Sequence, residues 1–244
     1  MGDRAGEGVT LTLLGDLVYG QGRTDEATHY YEQALAILRE VGDRALEGKM
    51  LNNLGALAYR QGRTDAAARY TEQALAITRE VGDRRGERQT LSNLGGLAYE
   101  QGRAEEAARY YEQELAIARE MGDRYGEATI MHNIAAIEVA QGQLDAGERH
   151  YRESLAIYTD LGLQEDMQDE VEALAQVART RSGASAEGHT SDIPDQPATA
   201  PSTPVTSALP TEPPSPPGDT GGGPEPVGAR AKKRRRWWPF VRRE

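Results

Sequence analysis

Residues 42–82, GDRALEGKMLNNLGALAYRQGRTDAAARYTEQALAITREVG, carry the reading that decides the fold. Leu51, Leu54, Leu57 and Ala58 recur at steps of three and four, and so do Ala67, Tyr70, Ala74, Leu75, Ile77 and Thr78 beyond Gly62. That is the period of two helices, not the alternation of strands. The Gly-Asp-Arg that opens the stretch returns at Gly2, Gly82 and Gly122, a constant spacing of 40. A second marker, Gln-Gly-Arg at 21, 61 and 101, keeps the same spacing and weakens to Gln-Gly-Gln at 141. Two glycine punctuators per unit mean two helices per unit.

Working outward, the pattern predicts helices at about 4–20, 24–41, 44–61, 64–81, 84–101, 104–121, 124–141 and 144–161. A ninth at about 163–180 carries Glu165, Asp166, Asp169, Glu170 and Glu172 and suits a solubilising cap. Glycines 22, 62, 102 and 142, with Gly42, Gly82 and Gly122, suit left-handed helix ends. Asp43, Asp83 and Asp123 are expected N-caps, and at the inner turn Thr24 and Thr64 fit where Ala104 and Leu144 do not. Glu40/Arg44, Glu80/Arg84 and Glu120/Arg124 are expected to pair four apart across the turn between units. A single such hairpin cannot bury its apolar stripe, so the units must stack around one continuous core. The expected fold is all-α, a right-handed superhelical solenoid of antiparallel helix pairs. It covers residues 1–181, followed by a disordered linker over 182–229 and a basic-aromatic tail over 230–244.

Composition bounds the function. Residues 1–181 carry a net charge of −12, residues 182–229 carry −6, and residues 230–244 carry +7. An acidic body argues against wrapping nucleic acid, which needs clustered Lys and Arg. There is no cysteine, so disulfides and thiolate metal sites are excluded. His29, His132, His150 and His189 lack ligand spacing, so no metal and no cofactor is expected. No GxxxxGK[ST] phosphate loop occurs, and no nucleophile, base and orienting group stand together, so no catalytic residue is assigned. No apolar leader or spanning segment is found, and the expected location is cytoplasmic, with peripheral attachment to a membrane through the tail. The chain starts inside the first marker, which leaves room for further repeats ahead of it.

The markers resemble the tetratricopeptide repeat. Unit two supplies Leu51, Leu54-Gly55, Ala67 and Ala74, and units one and three supply Gly15, Gly95, Ala27, Ala107, Tyr31 and Tyr111. The resemblance covers about residues 3–161. The period exceeds the customary 34, as in the extended repeats of kinesin light chains, LGN/Pins polarity proteins and bacterial arrays attached to signalling ATPases. Arg39, Arg79, Arg119 and Thr159 replace the usual proline, so the second helix should run on into the glycine. Unit four departs, with Ala135 for the glycine and Gly147 for the alanine. Unit three has Glu114 where a buried alanine is expected, which implies a looser contact or a carboxylate reaching the surface.

The resemblance implies a protein or peptide ligand in a concave groove lined by the first helix of each pair. The asparagine before Leu-Gly that commonly contacts a bound peptide corresponds to Asn53, Asn93 and Asn133, while Leu13 breaks the row in unit one. Neighbouring groove positions are Asn52, Ser92 and His132; Lys49 and Gln89; Tyr59 and Tyr99; and Arg60 with Glu100. A side-chain amide both donates and accepts, so a row of them can clamp an extended backbone of any sequence. The competing expectation is that these asparagines bond the neighbouring unit.

Lys232, Lys233, Arg234, Arg235, Arg236, Trp237, Trp238, Phe240, Arg242 and Arg243 form the tail motif. Indoles among clustered cations resemble membrane-active peptides and suit an anionic lipid surface. The leading expectation is a scaffold or adaptor localised by this tail. The alternative is a regulatory subunit whose tail binds nucleic acid or its own groove.

Overall fold

The computed structural model describes residues 3–187. Among them are nine helices and no strand. They are α1 (Arg4–Gly20), α2 (Thr24–Val41), α3 (Arg44–Arg60), α4 (Thr64–Val81), α5 (Arg84–Glu100), α6 (Ala104–Met121), α7 (Arg124–Ala140), α8 (Leu144–Leu161) and α9 (Gln164–Glu187). Each consecutive odd and even pair forms an antiparallel hairpin, and the hairpins stack into a right-handed superhelical solenoid. No described helix is long and apolar enough to cross a membrane. α9 runs to Glu187, beyond the expected end near 180. The expected tail over 230–244 and nearly all of the linker lie outside the described residues.

The turn chemistry explains why the units begin and end where they do. Gly42, Gly82, Gly122 and Gly162 cap α2, α4, α6 and α8 at φ between 69° and 77°, a left-handed conformation that costs a side chain energy. Asp43 N–H then returns to Leu38 O at 2.9 Å, closing the helix end. The next aspartate caps the following helix: Asp83 accepts from Gly86 N–H and Asp123 from Gly126 N–H, each at 2.9 Å. At the inner turn the expectation is corrected. Thr24 and Thr64 are the first helical residues, and the cap positions are Arg23, Arg63, Arg103 and Gln143, none with a side-chain cap. Ala104 and Leu144 are tolerated because the position performs no capping.

Close approach of paired helices depends on a missing side chain. A Cβ on Gly15 would lie 2.5 Å from Tyr31, and one on Gly95 would lie 2.8 Å from Tyr111. In unit four the small residue has changed helix. Ala135 takes the glycine position while Gly147 opens the facing helix, where a Cβ would sit 2.5 Å from Val139. The double departure is thus a compensated swap that preserves contact.

The ionic pattern differs from expectation. Arg44 bonds Glu80 at 2.6 Å, and Arg4 bonds Glu40 at 2.6 Å, each 36 residues ahead, because an antiparallel hairpin sets the start of its first helix beside the end of its second. Arg84 pairs with Glu120 in the same way. Arg39, Arg79 and Arg119, standing in the proline position, cross the turn instead and reach Glu47, Glu87 and Glu127 of the next unit at 2.8–2.9 Å. Where the arginine becomes Thr159, its carboxylate partner becomes Met167. Burial alone would raise the Glu87 carboxyl, but the guanidiniums of Arg79 and Arg84 outweigh it and hold the group below its ordinary value.

Candidate functional site

The first helices α3, α5 and α7 carry the expected groove residues, and the stacking of units brings those of neighbouring helices together, with α1 packed beside α3. At the α1–α3 step, Asp16 accepts from the Tyr31 phenol at 2.7 Å and faces Lys49 at 3.3 Å. Burial, then the Asp16 hydrogen bond, push the Tyr31 hydroxyl well above its ordinary value, while Asn53 donates to it and pulls the other way. Arg60 reaches back to Tyr19, donating to its hydroxyl at 3.1 Å with the guanidinium 5.5 Å from the ring centroid. At the α3–α5 step the Asn93 amide donates to Asn52 at 2.9 Å. Asn53, Asn93, Lys49, Gln89, Tyr59 and Tyr99 are half-buried and Arg60 and Glu100 are exposed, so this part of the row meets solvent.

The continuation of the row is corrected by burial. Ser92 is 0% exposed, Asn133 1% and His132 7%, and Asn52 is buried beneath Asn93. The 41-residue step that joins Asn93 to Asn52 relates Asn133 to Ser92, whose shorter side chain does not reach the amide. His132 is covered by α9, where its Nδ1 lies 2.9 Å from Glu170 Oε1, and its ring meets Tyr151 of α8 edge-on at 5.2 Å. The groove positions open to a ligand are therefore concentrated on α3 and α5. Asn93 bonds the neighbouring unit, and that one amide hydrogen bond uses neither its carbonyl oxygen nor its second N–H.

Two buried polar clusters are not assembled from the sequence, although Glu114 and His132 are each singled out there. Ser154 donates between Ala128 O at 2.9 Å and Glu170 Oε1 at 2.8 Å, which joins serine, glutamate and His132 in one network. The carboxylate stands in the middle and the hydroxyl points at it instead of at the imidazole, so the serine is not activated as a nucleophile. All three residues are buried, which denies a substrate access. In unit three, Glu114 is 1% exposed and does not reach the surface as one expectation held. Its carboxyl is pushed up to about 8 by burial, against the opposing pull of Arg88 and Ser92. Arg88, in the place of Gly8 and Gly48, has its own partner in Asp123 at 3.0 Å.

Solved structures share this architecture. BtubC (BKLC) from P. vanneervenii is 20% identical, with 78% of this chain and 84% of that one covered at a TM-score of 0.54. A kinesin light chain array of nearly identical repeats from Podosopora anserina is 17% identical, with 77% and 92% covered at 0.62. A Rap protein solved with Competence and Sporulation Factor is 19% identical at 0.55, with 74% of this chain covered but only half of the Rap protein. At these identities the likeness is one of fold. No curated protein matches the sequence significantly. Tetratricopeptide repeat profiles match residues 46–120 and 87–160, and residues 9–41. With the forty-residue hairpins and the glycine contacts in place, the chain belongs to the tetratricopeptide repeat family.

Proposed function

We propose that the protein is an interaction scaffold, not an enzyme, and that the solvent-facing side of α3 and α5 holds an extended peptide segment of a partner. The observation that carries this reading is the Asn52–Asn93 amide pair, in which the half-buried Asn93 keeps a donor and an acceptor unspent. Lys49 is matched by Asp16, so the central groove is close to neutral and favours backbone recognition over a strongly charged ligand. A protein of the same fold solved with Competence and Sporulation Factor supports ligand capture by such an array.

Peptides selected from a random phage-displayed library on the full chain provide the test. Asn93→Ala should weaken them at least about tenfold, the cost of one or two backbone hydrogen bonds, with little change in melting temperature. A large fall in melting temperature with unchanged affinity would overturn the reading in favour of a purely structural amide.

The tail motif is a separate proposal resting on sequence: Trp237, Trp238 and Phe240 among eight basic residues suit an anionic membrane surface of the cytoplasm. Equal sedimentation with anionic vesicles before and after removal of residues 230–244 would exclude it, and a gel shift of the same tail would favour nucleic acid.

A further inference from the structure

We infer that the uncovered face of α1 is a self-association surface, on which a second copy of the chain docks through its own α1 about a two-fold axis passing near Leu13. Val9, Leu13, Leu14 and Leu17 are 42%, 49%, 37% and 58% exposed and lie together on one side of α1. The other exposed large apolar residues include Val41, Val81, Met121 and Leu161, which stand singly just before the cap glycines. Four contiguous large side chains form a patch of the kind that marks an interaction site.

The chain's own repeats give the measure of how unusual this is. The row equivalent to Leu14 and Leu17 is Leu54 and Leu57 in α3, Leu94 and Leu97 in α5, and Ile134 and Ile137 in α7, and each of these is at most 4% exposed beneath the preceding hairpin. Among the described residues nothing covers that row in α1. Unit one is also altered beside it. Leu13 stands where the other units have Asn53, Asn93 and Asn133, and Val9 where they have Lys49, Gln89 and Thr129. The cover that α1 accepts is thus more apolar than an internal junction.

Geometry selects the occupant. Val9, Leu13 and Leu17 follow one another at four-residue steps, the ridge that interdigitates with its own kind in the commonest class of helix crossing. The exposed stripe of Val9, Thr10, Leu13, Leu14 and Leu17 carries no charge, so apposing it to itself meets no repulsion. Head-to-tail stacking is disfavoured because the opposite end presents Glu165, Gln168, Asp169 and Glu172 around a lone exposed Val171. An isologous contact remains, with Leu13 against Leu13 and Val9 against Leu17 of the other copy. α1 has 17 residues and is about 25 Å long. A helix pair of that length covers less than the standard interface of about 1,600 Å², so the dimer is weak and concentration-dependent.

The absence of native cysteine allows a direct test. Full-length Leu13→Cys should cross-link to a covalent dimer under mild copper-catalysed air oxidation at least about tenfold faster than Ala116→Cys, an exposed position on α6. Sedimentation equilibrium of the native chain should show a dimer that Leu13→Asp abolishes, with helical content unchanged by circular dichroism because Leu13 is already exposed. Cross-linking no faster than the control, a monomer at every concentration, or a dimer that survives Leu13→Asp would overturn the assignment. A dimer lost on removing residues 188–244 with α1 intact would also overturn it, and would place the tail on the stripe instead.

Discussion

Glu114 shows how one residue sets a pH response. Its carboxyl is pushed up to about 8, while the same group in an unfolded chain titrates near 4.5. Between those values the folded chain keeps a proton that the unfolded chain has released, so stability falls as pH rises through the window, by at most about 1.4 kcal/mol per unit, and levels off above it. Glu114→Gln should remove that slope, giving a melting temperature nearly the same at pH 5 and pH 8. A slope unchanged in the variant would assign the response elsewhere. Glu80 and Glu87, held below their ordinary values, act in the opposite sense and at lower pH, where their contribution is lost on acidification. The sequence marked Glu114 as anomalous because Ala34 and Ala74 occupy its place in other units. It did not show that the carboxyl stays inside, since that depends on Arg88 already being engaged by Asp123.

At the scale of single helices, the two turns of each unit are built differently, and substitutions should report it. Asp83→Ala removes a bond to the Gly86 amide and should cost about 1 kcal/mol. Thr64→Ala caps nothing and should cost less than about 0.5 kcal/mol. Chemical denaturation of the two variants side by side measures the difference, and equal losses would contradict the assignment. The positions of the eight paired helices and their glycine ends were legible because a forty-residue repeat displays each position four times. The ion pairs were misjudged for a related reason. Spacing along one helix favours partners four apart, whereas Arg44 finds Glu80 only after the hairpin closes. The groove row was legible as residue types at fixed positions. Burial of Ser92, Asn133 and His132 was not, because it depends on the neighbouring units and on how α9 covers the final hairpin.

For the whole molecule, α9 covers the last hairpin as each first helix covers the hairpin before it, but it does so partly through Glu170, His132 and Ser154 instead of aliphatic side chains. Truncation after Gly162 should uncover Tyr151 and Tyr158, lower the melting temperature by about 5 °C or more and raise binding of a hydrophobic dye. Unchanged melting would mean that α9 is dispensable. The tie from Arg39 to Glu47, repeated as Arg79 to Glu87 and Arg119 to Glu127, has a genetic corollary. A tandem duplication of the DNA encoding residues 44–83 would insert one more module whose incoming and outgoing partners already match those on either side. The gene can therefore lengthen by recombination between similar segments without redesigning a junction, and the number of modules becomes a trait that varies by copying instead of by point mutation.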